Sequence, residues 1–251
     1  MAQGFGQLDA RDQTSTMQPT FHGVRTKSID FWLARGAIAL IAGLQLLVVN
    51  DLSFGPRWLA PTLEIVLLIP LSAATAWNQG RARHARTQEH WSLVVHHHRL
   101  IRRAAMVLTA LITTMKTAAL VALVRALLAG KAQSGPTLLI DAVNIWGTNV
   151  IIFALWFWAI DRGGAVMRGH PEAAASDFLF PQMTLPTGGN PTSFVPGFVD
   201  YLFLSFTNAT AFSPTDTLPL SHQAKLLMMA EALISLLTVA LVAARAVNIL
   251  A

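Results

Sequence analysis

Apolar residues are concentrated in five long runs that are separated by polar segments. A bilayer core about 30 Å thick requires about 20 helical residues, and each run has about that length or more. Backbone N–H and C=O groups cannot stay unpaired in lipid, so continuous runs of this length are typical of helices rather than of barrel strands. The pattern predicts an all-α polytopic membrane protein with five transmembrane helices. They are Phe31–Val49, Trp58–Trp77, Ala104–Leu128, Leu138–Ile160 and Leu226–Leu250.

A shorter apolar stretch precedes the last run. Asp200–Thr210 makes about three helical turns, which are too few to cross a bilayer. Two prolines then interrupt Ala211–Pro219, and Ser221 is a candidate N-cap for the last helix. This order predicts a re-entrant helix-loop hairpin. The alternative from composition alone is a surface amphipathic helix followed by an ordinary loop.

These runs divide the chain into four regions. Residues 1–29, rich in Gln, Thr, Gly and Asp, are expected to form a flexible cytoplasmic tail. Residues 30–160 are expected to form a four-helix transmembrane block with a basic cytoplasmic loop at 79–103. Residues 161–199, rich in Gly and Pro, are expected to form a polar linker. Residues 200–251 then contain the hairpin and the last transmembrane helix.

Composition agrees with a membrane location and excludes several other classes of protein. The chain is 53% apolar and 12% charged and has no Cys. That charge is about half of what soluble domains carry. Intrinsic disorder and a disulfide scaffold are therefore excluded. The net charge of +5 comes with no nucleic-acid-binding motif, so no nucleic acid is expected as a partner.

The distribution of Lys and Arg predicts the orientation. Basic residues precede the first run and fill the segment between the second and third, whereas the other two short loops offer only Arg57 and Lys131. Because basic residues collect on the cytoplasmic side, the N-terminus is expected in the cytoplasm. Four crossings then return the chain to the cytoplasm at Asp161, and the hairpin enters from that side. If the hairpin enters from the opposite side, the number of spans before it must differ from four by one.

The C-terminal part of the chain resembles two groups of membrane proteins. Tyr201-Leu-Phe-Leu-Ser-Phe-Thr-Asn-Ala-Thr-Ala-Phe-Ser-Pro-Thr-Asp216 is similar to the pore helix and filter of two-transmembrane potassium channels, which commonly have Y-F-S-x-x-T-x-T-T-V-G-Y-G-D-x-x-P. Placed without gaps, Ser205, Thr210, Asp216 and Pro219 match fixed positions of this pattern, and Phe206 and Thr207 fall on its two variable positions after the serine. With Trp156-Phe-Trp-Ala-Ile-Asp161 and Phe178-Leu-Phe-Pro-Gln182, the same part resembles a family of uncharacterised bacterial multi-pass membrane proteins that contain a domain of unknown function. The resemblance implies a bacterial inner-membrane protein with a pore-like unit.

The filter itself departs from the potassium-channel pattern. Filter glycines permit the backbone geometry that aims carbonyl oxygens at the ion. The matching residues Ala211–Thr215 include no glycine, and positive φ at Ser213 or Thr215 would cost about 1–2 kcal/mol each. We therefore expect a conduit without potassium selectivity, or side chains that merely cap the short helix and satisfy loop backbone. The candidate pore or ligand residues are Thr207, Asn208, Thr210, Ser213, Thr215, Asp216 and Glu231.

Charged residues within the runs are a second group of candidates, because charges in lipid are rare and mark function or a buried pair. Glu64, Lys116 and Asp141 form a candidate intramembrane charge network. Lys116 is expected to pair with Glu64 or Glu231. The alternative is an ion or proton path along two polar helix faces, one with Thr113, Lys116 and Thr117 and one with Asp141, Asn144 and Thr148.

Motifs of enzymes and metal sites are not found in the sequence. His84, His90 and His96–His98 lack the spacing of membrane di-iron sites, and successive residues do not share a helix face. No metal, cofactor or enzymatic activity is expected. The sequence instead predicts a degenerate ion-channel-like unit in the lipid bilayer, assembled as a homo-oligomer, with a monovalent ion as candidate ligand. The alternative is a non-conducting scaffold or sensor that binds lipid or a protein partner.

Overall fold

The computed structural model describes residues 27–47, 88–128, 135–164, 167–168, 174–184, 194–210 and 216–250. These residues are mostly helical. They form five α-helices, which are α1 (Ser28–Leu47), α2 (Gln88–Leu128), α3 (Gly135–Ile160), α4 (Phe198–Thr210) and α5 (His222–Leu250). A two-stranded antiparallel sheet pairs β1 (Phe178–Leu179) with β2 (Leu218–Pro219).

Two segments of the described chain are long and apolar enough to cross a membrane. They are Ala142–Gly163, which includes most of α3, and His222–Leu241 in α5. Only 22% of the apolar window in α5 is buried. Because exposed apolar surface of this extent is unfavourable in water, the second segment indicates association with a membrane.

α3 is the central helix and packs against each of the other four. All residues from Val150 to Leu155 are buried, as expected for a helix that is apolar on every side. One side of α3 packs against α1 and α2, around Ile41 and Ile112. The other side packs against α4, α5 and β1, around Phe157 and Tyr201. The sequence of α3 therefore supplies the core of the described bundle.

α1 and α4 begin where α3 ends, at what we call the Ile160 end of the bundle, whereas α2 begins at Gln88 and passes this end at Arg102. The Phe31 ring in α1 meets Trp158 edge-on with centroids 5.3 Å apart, and Phe198 at the start of α4 meets the same Trp158 at 5.9 Å. Arg102 in α2 donates hydrogen bonds to the carbonyl oxygens of Ala159 and Ile160 at 3.0 and 3.3 Å. Further along α2, Leu120 packs with Ile145 of α3. α1 and α2 are thus both antiparallel to α3.

α4 extends only part of the way along α3. The Ser205 hydroxyl donates to the Val150 carbonyl at 2.6 Å, and the Phe206 ring meets Trp146 with centroids 5.7 Å apart. These contacts lie well inside Ala142–Gly163. With 13 residues, α4 is about 20 Å long, which is too short to cross a bilayer.

The chain after α4 is described again at the Ile160 end. The Leu220 amide donates to the Asp177 carbonyl at 2.8 Å, and β2 pairs with β1. The Phe178 ring of β1 meets Phe157 with centroids 5.1 Å apart. Ala224, in the first turn of α5, is buried in the same apolar cluster. α4 and α5 therefore start at the same end and both run antiparallel to α3.

The basic segment 79–103, which was expected to be a loop, is helical from Gln88 onwards. α2 contains 41 residues without Gly or Pro, so nothing in its sequence interrupts the hydrogen-bond ladder. Its length is about 60 Å, roughly twice the thickness of a bilayer core. Residues 88–103 of this segment are therefore helical, because local helix propensity continues the apolar run.

The expected polar linker, 161–199, contributes to the core of the described bundle. Asp161, Arg168, Phe178 and Phe180 are all buried, and the segment contains β1 and two single-turn 3-10 helices, Asp161–Gly163 and Pro181–Met183. The Gly- and Pro-rich composition was interpreted as a separating linker, whereas its few aromatic and charged residues pack between α3, α4 and α5.

Several sequence predictions lie outside the described residues. They include the run Trp58–Trp77 with Glu64, residues 1–26 of the tail, and Ser213 and Thr215 of the hairpin. The predicted number of five spans and the re-entrant hairpin stay predictions at this point.

Gly197 allows α1 and α4 to meet at the Ile160 end. Asp30 Oδ1 accepts a hydrogen bond from the Phe198 amide at 3.0 Å and so caps α4 from another helix. The Gly197 amide donates to Asp200 Oδ2 at 2.7 Å. A Cβ on Gly197 would lie 2.6 Å from Asp30 Oδ1, so the Asp30 carboxylate would have to shift to accommodate any side chain there.

We expect Gly197→Ala to lower the free energy of unfolding by about 1–3 kcal/mol, because Asp30 must move and release its cap on α4. The matched control is Gly36→Ala, since a Cβ at Gly36 meets nothing within 4 Å. Alanine is the better helix former, so the control should be neutral or more stable by about 0.5–1 kcal/mol. Unfolding in detergent, followed by circular dichroism, measures both. Equal stability of the two variants would contradict the prediction.

Candidate functional site

Glu231 lies near the middle of the candidate span His222–Leu241 and is fully buried. Among the described side chains of α5, the buried ones are Ala224, Glu231, Ser235 and Thr238. Their spacing places them on one helix face. Three of these four residues are polar, and the exposed faces of α5 are largely apolar. α5 thus buries polar groups and exposes apolar ones, which is typical of a membrane helix with a functional or paired polar face.

The Glu231 carboxyl group joins α4 to α5. Its Oε1 is hydrogen-bonded to the Ser205 hydroxyl, and its Oε2 accepts a hydrogen bond from Asn208 Nδ2 at 2.6 Å. The same Asn208 nitrogen donates to the Met228 carbonyl at 3.0 Å. Ser205 and Asn208 lie three residues apart on α4, so one face of α4 presents both groups to Glu231.

α3 supplies the third side of this site. Asn149 Nδ2 donates to Ser235 Oγ at 2.9 Å and to the Glu231 backbone carbonyl at 3.3 Å. The Val150 carbonyl accepts from Ser205. We call Glu231, Ser205, Asn208, Asn149 and Ser235 the Glu231 cluster. It is the polar junction of α3, α4 and α5.

Two residues of the predicted polar face of α3 contact each other. Asn144 and Thr148 are buried, and the Thr148 hydroxyl donates to Asn144 Oδ1 at 3.0 Å. On α2, Thr113 accepts a hydrogen bond from Trp156 Nε1 at 3.0 Å. Asp141 belongs to α3, but its side chain lies outside the described part of the structure.

The described side chains that contact the Glu231 carboxyl group are neutral. Lys116, one of its expected ion-pair partners, belongs to α2, but the structure does not describe its side chain. Glu64 is not described at all. The ion pair of Lys116 and the network of Glu64, Lys116 and Asp141 therefore stay predictions.

The other described candidates of the hairpin do not converge on one point. The Thr207 hydroxyl donates to the Phe203 and Leu204 carbonyls at 2.8 and 3.0 Å, within its own helix. The Thr210 hydroxyl likewise donates to carbonyls of the preceding turn, at 3.0 and 3.1 Å. Asp216 is exposed at the Ile160 end. Of the candidate pore or ligand residues predicted from the sequence, the structure brings together Asn208 and Glu231.

A second buried polar group, the Asp161 cluster of Asp161, Arg168 and Tyr201, lies at the Ile160 end. Arg168 Nε lies 3.8 Å from Asp161 Oδ2, and both side chains are fully buried. The Tyr201 hydroxyl is hydrogen-bonded to the same carboxylate. The Arg168 guanidinium lies over the Tyr201 ring, 4.7 Å from its centroid. The Asp177 amide donates to Asp161 Oδ1 at 2.8 Å.

Tyr201 lies outside the two candidate spans and is the neutral donor in this cluster. Burial raises the pKa of its phenol well above the usual value. The charge of Arg168 lowers this pKa, whereas the charge of Asp161 and the hydrogen bond to it raise it. The buried ion pair therefore consists of Asp161 and Arg168, with Tyr201 as hydrogen-bond donor.

Several residues of both clusters were not among the predicted candidates. Asn149 and Ser235 lie within apolar runs, where a polar residue indicates a buried hydrogen-bond partner. Their partners are distant in sequence, so the sequence did not identify them. Asp161 and Arg168 were assigned to a linker. The turn between them uses positive φ at Arg162, Gly163 and Gly164 (52°, 80° and 94°), and the Gly-Gly pair was the visible sign of a tight turn.

Metal binding finds no support among the residues that the structure describes. In that part of the chain, no group of three or more His, Cys, Asp or Glu residues could hold a metal ion. The histidines of the basic segment have no described side chains. The site is therefore a set of hydroxyl, amide and carboxyl groups at the centre of a helical bundle.

We expect Asp161→Asn to lower the free energy of unfolding by about 3–5 kcal/mol, because it leaves the Arg168 charge buried without a counter-ion. Asp161→Asn combined with Arg168→Met should be more stable than Asp161→Asn alone, since the uncompensated charge is gone. Asp216→Asn is the control for an exposed carboxylate and should change stability by less than about 0.5 kcal/mol. A double variant as unstable as the sum of its single variants would contradict the ion pair.

Comparisons of this chain with family models, with characterised proteins and with solved structures found no match. The resemblance to potassium channels and to a bacterial membrane family therefore stays a prediction from the residues that carry it.

Proposed function

We propose that this chain is an integral protein of the bacterial inner membrane with five transmembrane helices, a cytoplasmic N-terminus and a re-entrant hairpin between α4 and α5. We further propose that its C-terminal unit is an ion conduit without potassium selectivity. One observation carries this proposal: α4 starts at the Ile160 end, reaches the middle of α3, and is followed by chain that is back at the Ile160 end before α5 starts.

The number of spans is supported by the directions of α1 and α2. Both run away from the Ile160 end, as shown by the contact of Phe31 with Trp158 and by the hydrogen bond from Arg102 to the Ile160 carbonyl. The chain between them contains the apolar run Trp58–Trp77, which we propose as the returning span. Lipid would then cover exposed apolar side chains such as Trp32, Val107 and Met229.

The orientation is supported by the charges at the Ile160 end. Lys27, Arg99, Arg103 and Lys225 are exposed there: Lys27 and Lys225 lie near the starts of α1 and α5, and Arg99 and Arg103 flank Arg102 of α2. Because basic residues collect on the cytoplasmic side, we propose that this end faces the cytoplasm. The hairpin would then open to the cytoplasm, which is inverted relative to potassium channels.

The conduit is supported by the polar groups at membrane depth. Glu231 lies near the middle of its span among neutral donors, and intramembrane carboxyl groups of this kind commonly belong to ion or proton pathways. Asp216 adds an exposed carboxylate at the mouth of the hairpin. Glu231 is enclosed within one chain, and Phe203 and Phe206 of α4 are exposed. We therefore propose a homo-oligomer in which these surfaces meet around the path.

Cysteine labelling tests the hairpin, since the native chain has no Cys. Val199→Cys in the first turn of α4 and Leu218→Cys in β2 should react with a membrane-impermeant maleimide from the same side. Ala243→Cys, near the end of α5, should react only from the other side. Labelling of Val199→Cys and Leu218→Cys from opposite sides would mean that this segment crosses the bilayer, and would overturn the hairpin.

Flux measurements test the conduit. Proteoliposomes with the native chain should release monovalent cations faster than empty liposomes, with little preference for K⁺ over Na⁺. Glu231→Gln should change this flux several-fold, because it replaces the mid-span carboxyl group. Glu89→Gln is the matched control in the first turn of α2, well outside the apolar part of that helix, and should leave the flux unchanged. Equal flux from all three proteins would contradict a role of Glu231.

A non-conducting scaffold or sensor is the second candidate, and the α4 hydroxyls favour it. Thr207 and Thr210 donate to carbonyls of their own helix, so both hydroxyl groups are already satisfied as donors. The exposed Arg99 and Arg103 would then contact anionic lipid or a protein partner. Flux no greater than that of empty liposomes, from folded and correctly oriented protein, would support this candidate and overturn the conduit.

A further inference from the structure

Ser205 Oγ lies between two oxygen atoms of other helices. On one side is the Val150 carbonyl oxygen of α3, at 2.6 Å. On the other side is Oε1 of Glu231 in α5, to which Ser205 Oγ is also hydrogen-bonded. All three residues are buried. Two oxygen atoms approach this closely only when a hydrogen atom lies between them.

These three oxygens require two hydrogen atoms, and Ser205 supplies one. A carbonyl oxygen is only an acceptor, and an ionised carboxylate is only an acceptor. If the Ser205 hydrogen points to Val150, the hydrogen in the second contact must belong to Glu231. One hydrogen shared between both acceptors would weaken and lengthen both contacts, whereas 2.6 Å is a full O–H···O bond.

The neighbouring amides cannot supply the missing hydrogen. Asn208 Nδ2 donates to the Met228 carbonyl and to Glu231 Oε2, which uses both of its hydrogens. Asn149 Nδ2 donates to the Glu231 backbone carbonyl and to Ser235 Oγ. Because a backbone carbonyl can only accept, each amide must present its NH₂ group and not its oxygen to these partners.

We infer that the Glu231 cluster is a buried proton-binding site, in which Glu231 Oε1 carries a proton and donates it to Ser205, which donates to Val150. The ligand is a proton and not a metal cation, because the NH₂ group of Asn208 occupies the other carboxyl oxygen. Hard cations require oxygen ligands around them, and an N–H donor faces them with the wrong sign of charge. This inference goes beyond the proposed function and does not require that the chain conducts.

The charged groups on the surrounding helices agree with a neutral carboxyl group. On α5, Lys225 is exposed and lies almost two turns before Glu231, and on α4 Asp200 accepts from the Gly197 amide. The described side chains of α3 that face the cluster are neutral. On α2, Arg125 is exposed, and the side chain of Lys116 lies outside the described part of the structure. An ion pair between Lys116 and Glu231 is therefore tested below with a Lys116→Met variant.

Loss of the proton would change how α4 is held. An ionised Glu231 would take the Ser205 hydrogen for itself, and the contact between Ser205 and Val150 would lose its hydrogen atom. Two oxygen atoms would then repel each other between α3 and α4. Proton binding at Glu231 is therefore coupled to the packing of α4 on α3.

Infrared spectroscopy of the full chain in lipid tests the inference directly. At neutral pH, the native protein should show a carbonyl stretch of a protonated carboxylic acid, which is distinct from the carboxylate bands and shifts on exchange into ²H₂O. Glu231→Gln should lack this band, whereas Asp216→Asn should keep it, since Asp216 is an exposed residue outside the Glu231 cluster. A native spectrum identical to that of Glu231→Gln in this region would overturn the inference.

Two further variants separate protonation from an ion pair with Lys116. Lys116→Met should leave the acid band unchanged. An acid band that is absent from the native protein and appears only in Lys116→Met would mean that Lys116 keeps Glu231 ionised, and would overturn the inference. Glu231→Gln should unfold at the native temperature, because its NH₂ group can donate to Ser205 as the acid does, whereas Glu231→Ala should unfold several degrees lower. A Glu231→Gln protein as unstable as Glu231→Ala would also overturn it.

Discussion

The C-terminal unit depends on the polar junction that Glu231 makes between α3, α4 and α5. A helix of 13 residues is marginal by itself, so α4 requires tertiary contacts. In a membrane, apolar side chains gain little by exchanging lipid for protein, and hydrogen bonds between helices therefore decide which faces meet. The bonds from Ser205 and Asn208 select one face of α4, and Asn149 fixes α3 against α5. The apolar contacts around them follow from that choice.

The Asp161 cluster holds the other end of α4. Tyr201 is one turn before Ser205 on the same face of the helix, so a single face of α4 is anchored at both ends. The Asp161 cluster contains a buried ion pair, whereas the described partners of Glu231 are neutral. A buried pair tolerates the loss of one charge poorly, which makes this end rigid, while a neutral junction responds to a single proton. The Asp161 cluster and the Glu231 cluster thus differ in the change that would weaken their hold on α4.

The helices were predictable from sequence, but the partners of their polar residues were not. Length and hydropathy define α3 and α5, and the absence of Gly and Pro in α2 would have predicted its early start. Asn149 and Ser235 contact each other across 86 residues, and no local pattern encodes such a pairing. The Asp161 cluster was hidden because composition described its segment as a linker. A few buried residues determine the packing of that segment, and the average amino-acid composition of the segment does not reveal them.

The residues that match the potassium-channel pattern have other uses in this structure. Ser205 joins α3 to α5, whereas Thr207 and Thr210 donate to their own helix, as hydroxyl residues on a short helix often do. A pore helix and a helix that only packs against its neighbours can carry the same small polar residues. In both, the hydroxyl groups lie away from water and need hydrogen-bond acceptors within the protein. A shared packing requirement therefore accounts for these residues as well as a pore does. The carboxyl group of Glu231 lies behind this helix, on α5, and outside the segment that corresponds to the filter.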